Sequence, residues 1–271
     1  MLNLKNISFS YAGREKIFDN IDLQIDTSLI TAIAGRNGTG KTTLTRLIMG
    51  LVKAKAGTVE LDGKIISDMP SYTLAKYIGY VFQNPDHQLF ASTVYEETAY
   101  APSKLGMNAE QIKKNVSQAL ADTGLSTKQN FMPQTLSLGD KQRLSIASSL
   151  AAAPKLLILD EPTSGQDCRE RTVLLRLMRK LNKEGIGIIL VTHDMDILAE
   201  HADRVVVLAD KKIAFNGTPR GLFADTEKTT AFGLELPEAA RISNEIGLGL
   251  CLTPRELYKK LAERRKSNDS K

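Results

Sequence analysis

The sequence predicts an α/β fold built on a largely parallel sheet, and three observations carry that prediction. Short β-branched or aliphatic runs alternate with helical patterns along the chain, the order that places crossover helices between parallel strands. Two of the runs, residues 156–159 and 186–192, are almost continuously apolar, as strands buried on both faces are. A third, residues 29–34, leads straight into a glycine-rich loop and then a helical run ending at Gly50.

In chain order, strands are expected at residues 2–9, 21–25, 29–34, 58–61, 78–82, 156–159, 186–192, 204–209 and 212–216. Between residues 92 and 150 the pattern changes. Residues 108–122 have helical periodicity, Gly124 fits a helix stop, and no strand pattern is present, which predicts a helical insertion within the α/β core. From residue 226 onward two helices are expected, at 237–246 and 253–265. The second opens with Thr253-Pro254-Arg255-Glu256, a capping box with proline at the first helical position. The reading is one large domain over 1–225, with its insertion at 92–150, and a small helical extension over 226–271 whose residues 267–271 are expected to be disordered.

Composition bounds the function classes. A chain of 271 residues holds one full-sized core and a small appendage, and 42% hydrophobic with 25% charged residues is ordinary for a soluble globular protein. No apolar stretch reaches the roughly 18–20 residues of a membrane-spanning helix, and the first residues lack a signal peptide's apolar core, so the chain is expected in the cytoplasm. Cys168 and Cys251 have neither metal-ligand spacing nor a secreted disulfide pattern and read as free thiols. Much of the net charge of +5 lies at the end of the chain, where residues 255–271 carry seven basic side chains against three acidic ones. Such a run is read as a solvated helix face and tail.

The chemistry is concentrated in two motifs. Gly35-Arg36-Asn37-Gly38-Thr39-Gly40-Lys41-Thr42, between a strand and the helix that begins near Thr43, is a phosphate-binding loop in its required context. Gly35, Gly38 and Gly40 let the backbone, with Asn37 and Thr43 alongside, wrap a phosphate closely. Lys41 reaches the β and γ phosphates, and the Thr42 hydroxyl serves Mg²⁺. The second motif is the apolar run ending in Asp160-Glu161. Asp160 at the strand end suits a metal, and Glu161, one residue on and aimed elsewhere, suits an attacking water. Together they define a P-loop ATPase that takes ATP and Mg²⁺.

Across roughly the first 225 residues, further motifs make the chain resemble the ABC transporter ATPases. That resemblance implies that Tyr11 stacks on adenine, that Gln83 senses the metal and the attacking water, and that His193 contacts the γ phosphate. It also implies that Asp167 lies in a loop crossing a dimer interface. The family signature, usually Leu-Ser-Gly-Gly-Gln, here reads Leu136-Ser137-Leu138-Gly139-Asp140. In the family this segment caps the nucleotide of the opposite subunit, so Ser137 and Gly139 are expected to bind in trans. Leu138 adds a side chain where backbone normally approaches, and Asp140 brings a negative charge that suits a helix N-terminus but not a phosphate. The expectation is a competent site of its own and a weaker one offered to a partner ATPase, the same chain or, better suited, a different one.

Residues 83–102, including Gln83-Asn84-Pro85-Asp86-His87-Gln88-Leu89-Phe90, resemble the energy-coupling-factor ATPases, which power uptake of vitamins and of cobalt or nickel ions. The extension resembles that group's C-terminal dimerisation domain. The resemblance implies a second ATPase, a transmembrane coupling protein and a small substrate-binding membrane protein as partners, a place on the cytoplasmic face of the cell membrane, and no nucleic acid. Residues 86–90 are the expected docking surface, although Leu89 and Phe90 could equally be core. A nucleic-acid ABC ATPase would separate phosphate loop and signature by a long coiled coil, and no sustained heptads intervene here. An ABC exporter subunit stays open.

Overall fold

The computed structural model describes residues 1–269. In chain order its elements are β1 (Leu2–Phe9), β2 (Phe18–Ile25), β3 (Ile30–Ala34), α1 (Lys41–Ile48), β4 (Ala56–Leu61), β5 (Lys64–Ile65), α2 (Ser71–Leu74) and β6 (Ile78–Val81). The helices α3 (Val94–Lys104), α4 (Ala109–Asp122) and α5 (Leu138–Leu150) follow, then β7 (Leu156–Asp160), α6 (Cys168–Lys183), β8 (Gly187–Val191) and α7 (Met195–His201). A hairpin of β9 (Arg204–Ala209) and β10 (Lys212–Gly217) leads to α8 (Pro219–Phe223), α9 (Thr226–Ala231), α10 (Glu238–Glu245) and α11 (Pro254–Asp269).

The expected, largely parallel sheet is present, and a second, antiparallel sheet lies beside it. A six-stranded sheet has the order β10-β9-β3-β8-β7-β6 and is parallel except for the β9–β10 hairpin. A four-stranded antiparallel sheet has the order β2-β1-β4-β5. Burial explains the division. Every residue of β3, β7 and β8 is buried, because helices or the second sheet cover both faces, whereas β1 and β2 mix buried and exposed positions as half-solvated antiparallel strands do. β2 also begins at Phe18, earlier than the expected 21, since Phe18 is fully buried between the sheets and pairs with Phe9.

Helix α1 lies in the core between the two sheets, where Leu44 and Ile48 pack with Phe18, Ile33, Ile158 and Val191. Burying each such aliphatic side chain stabilises by about 1.5–3 kcal/mol. On the other face, Leu174, Leu177, Met178 and Leu181 of α6 cover Leu157, Leu159, Ile188 and Leu190. The insertion has its own core, built from Val94, Val116, Leu120, Leu136 and Leu144. Leu89 belongs to that core at 8% exposure, which removes it from the expected docking surface.

The extension shares a core instead of building a separate one. Leu234 and Leu252 join Ala34, Val207, Met195 and Leu198 beside β3 and α7. Helix α11 is capped by the Thr253 hydroxyl, which accepts from the Glu256 amide at 3.2 Å, and it runs to Asp269, into the stretch expected to be disordered. Lys260 Nζ ties it down by donating to Leu248 O and Leu250 O. Ser270 and Lys271 lie outside the described residues.

Candidate functional site

The site forms where β3, β7 and β8 end. At the end of β3, Gly35 turns the chain into the phosphate loop, and Gly40 leads into α1 with φ of 100°. Only glycine fits at 40: the backbone is left-handed, and a Cβ there would lie 2.6 Å from Ile17 and 2.8 Å from Phe18. Because glycine supplies no side-chain cap, the first-turn amides of α1 remain available to an anion, with the helix dipole behind them. Lys41, 8% exposed, donates Nζ to Gly35 O at 2.8 Å and Arg36 O at 3.1 Å, which holds the ammonium over the loop. Burial pushes its pKa down, against the pull of Glu161 and Asp160. Tyr11 is half-buried, edge-on to Phe9, with its hydroxyl 3.5 Å from that of Thr43. The expected adenine-stacking residue thus lies beside the start of α1.

Strand β7 delivers the two carboxylates in different directions. Asp160 is 5% exposed; burial pushes its carboxyl up, while hydrogen bonds from the hydroxyls of Tyr80 and Thr42 pull it back. Glu161 departs from β geometry with φ of 47°, a left-handed conformation rare for a non-glycine residue and typical of functional sites. Its carboxylate gathers three partners at one oxygen, Oε2. Gln83 Nε2 donates to it at 2.9 Å, Ser164 Oγ donates at 3.3 Å, and His193 Nδ1 lies 3.4 Å away. The three residues expected to be catalytic, Glu161, Gln83 and His193, are therefore brought together from positions 78 and 32 residues apart along the chain. Ser164 was not anticipated, because nothing in Ser164-Gly165-Gln166-Asp167 marks its hydroxyl as facing Glu161. Asp167 caps α6, accepting from the Glu170 amide at 2.8 Å.

The donor set suits a magnesium ion carried in by a nucleotide. One buried carboxylate, Asp160, stands beside the Thr42 hydroxyl, and the described residues contain no group of three or more His, Cys, Asp or Glu side chains able to hold an ion by themselves. Mg²⁺ commonly binds in this way, through one or two carboxylates plus phosphate oxygens and water.

The signature segment is built differently from expectation. Ser137 caps α5, accepting from the Asp140 amide at 3.2 Å. Gly139 packs against the Glu170 side chain, so any Cβ there would collide with it. Asp140, 6% exposed, does not present its charge to a phosphate. Lys128 Nζ holds Oδ2 at 2.5 Å and Arg143 Nη2 holds Oδ1 at 2.6 Å, and Arg143 also pairs with Glu170. Burial raises its pKa, but the hydrogen bonds of Lys128, Ser137 and Arg143 outweigh it and leave the carboxyl below its ordinary range. The charge reading of Asp140 is corrected accordingly. Leu138 is the side chain left outward, 43% exposed, with Cδ2 the nearest neighbour of a Cβ placed at Gly165.

Beside the Gln83 loop, an apolar groove opens between α3, α5 and β6, lined by Met49, Ile78, Tyr80, Phe90, Tyr100 and Ala152. Phe90, 60% exposed, stacks edge-on against Tyr100 with ring centroids 4.7 Å apart. No helix among the described residues is long and apolar enough to cross a membrane.

The family model described as "ABC transporter" matches residues 18–164. A Pyrococcus horikoshii protein named as an ABC transporter ATP-binding protein is 40% identical over 260 residues, covering 96% of this chain and 98% of that one. An energy-coupling factor transporter ATP-binding protein from Methanothermobacter thermautotrophicus is 34% identical, covering 96% of this chain and 86% of the relative. Other curated relatives are longer, and the chain spans 43% of one from Caldanaerobacter subterraneus. Among solved structures, CbiO1 of Clostridium perfringens, described as part of the ABC transporter complex CbiONQ, superposes with a TM-score of 0.77 at 34% identity, covering 91% of this chain and 98% of that one. The chain belongs to the ABC transporter family.

Proposed function

We propose that this chain is the ATPase subunit of an energy-coupling-factor importer, which powers uptake of a vitamin or transition-metal ion through membrane partners. The observation that carries the catalytic part is the convergence of Gln83, Ser164 and His193 on Glu161 Oε2, next to a phosphate loop with a buried lysine. The importer assignment is supported by the sequence of residues 83–102 and by relatives bearing the energy-coupling-factor name at 34% and 37% identity.

In this reading ATP lies over the first-turn amides of α1, with its phosphates against Lys41. When bound, Mg²⁺ would be held by Asp160 and Thr42 and would supply neutralisation of the charge that develops on the phosphates. Glu161 orients the attacking water and accepts its proton, while Gln83 and Ser164 fix the carboxylate. His193, whose side chain is 66% exposed, is free to turn toward the γ phosphate. Ser137 and Gly139 serve the nucleotide of a second ATPase subunit, and ATP clamps the two subunits together until hydrolysis releases them. Leu138 is then the departure that loosens the trans contact, and it favours a second subunit with an unaltered signature.

The membrane partner docks on the groove beside Phe90 and His87. Replacing Phe90 with Ala in the assembled transporter is expected to cut substrate uptake about tenfold or more, as loss of an exposed aromatic anchor worth about 2 kcal/mol does, while ATP affinity of the purified chain stays within about twofold. Uptake unchanged by Phe90→Ala and His87→Ala together would remove the docking role.

A further inference from the structure

We propose that Tyr80 is a positioning residue that fixes the Asp160 carboxylate for the metal-bound nucleotide, an inference that rests on the ATPase reading above. Tyr80 lies on β6, in register with Ile158 of the neighbouring parallel strand β7, so Tyr80 and Asp160 share one face of the sheet as diagonal neighbours. Its neighbours on that face, Ile78, Leu156 and Ile158, are apolar, and Tyr80 itself is 7% exposed. Packing alone would be met by phenylalanine, because a buried hydroxyl costs free energy unless it is hydrogen-bonded.

The hydroxyl has its partners. It donates to Asp160 Oδ2 at 2.9 Å and accepts from the Thr45 hydroxyl at 3.1 Å, whose single proton also has Thr42 O within reach at 2.9 Å. The Thr42 hydroxyl also lies near Asp160, where it lowers the carboxyl's pKa. Helix α1 and both strands therefore meet at the buried Tyr80 hydroxyl. A phenol bonded to a carboxylate is a charge-assisted contact, and with Oδ2 held the carboxylate cannot rotate about its Cβ–Cγ bond. Its remaining lone pairs keep one direction, which is how outer-shell partners orient a metal ligand. The Tyr80 backbone is pinned as well, since Ser149 Oγ donates to Tyr80 O at 3.0 Å.

The test is Mn²⁺ binding, followed by electron paramagnetic resonance, to the full chain saturated with a non-hydrolysable ATP analogue. Tyr80→Phe keeps the ring and removes only the hydroxyl. It is expected to weaken Mn²⁺ binding about tenfold, the range typical of outer-shell ligand partners, while affinity for the metal-free analogue stays within about twofold. Thr45→Val, which removes the hydroxyl that steadies Tyr80, is expected to shift Mn²⁺ affinity in the same direction by about threefold, and it carries the test if Tyr80→Phe does not fold. Equal Mn²⁺ affinity in the native chain and these variants overturns the inference and leaves the ATPase reading standing. A native chain that binds no Mn²⁺ with the analogue overturns both.

Discussion

Replacing Glu161 with Gln is expected to lower ATP turnover about 10²–10⁴-fold, the usual contribution of a positioned general base, while leaving ATP affinity nearly unchanged. The amide preserves the shape of the side chain and can still meet Gln83 and Ser164, but it cannot accept the proton of an attacking water. The ATP-bound state therefore still forms, while its exit through hydrolysis is blocked. Phosphate release and size-exclusion chromatography should therefore diverge, with turnover lost and an ATP-dependent dimer accumulating. Turnover within about threefold of the native chain would assign water activation to another group.

Lys41→Ala is expected to have the opposite signature, with binding lost first. The ammonium is held by Gly35 O and Arg36 O, and these are the contacts that aim it over the loop. Each hydrogen bond from a charged donor contributes about 1.5–3 kcal/mol, so losing two such contacts to phosphate oxygens should weaken ATP binding about 10²–10⁴-fold. Titration with a fluorescent ATP analogue measures this directly. Arginine is not expected to rescue the variant, because its planar fork cannot occupy a pocket shaped around a point charge. Affinity unchanged in Lys41→Ala would place the phosphates elsewhere.

The two residues whose loss is expected to matter most were legible in the sequence because their chemistry needs contiguous backbone. A phosphate loop is a fixed spacing of glycines before Lys41, and a carboxylate pair at the end of a wholly apolar strand is equally local. The partners of those residues were not legible. Tyr80 reads from its strand as one more core aromatic, and only the parallel register of β6 with β7 brings it to Asp160 across 80 residues of sequence. Ser164 is likewise placed by the turn that follows the left-handed Glu161.

Asp140 shows the same limit from the other side. In the sequence it is a bare charge at a helix start; in the fold Lys128, from the preceding segment, and Arg143, one turn along α5, neutralise it. The division of the strands into two sheets is not legible in the sequence for a related reason. Alternating and continuous apolar runs were both visible as strands, but strand pairing depends on which faces helices cover, and that is settled only by packing.

If the chain drives membrane proteins of an importer, those proteins should accompany it when the tagged chain is isolated from native membranes in mild detergent. A second ATPase, a multi-helix coupling protein and one or more small membrane proteins are expected to co-purify in fixed proportion, with the small proteins identifying the substrate. Recovery of the chain alone, or together with nucleic acid, would rule out the importer role.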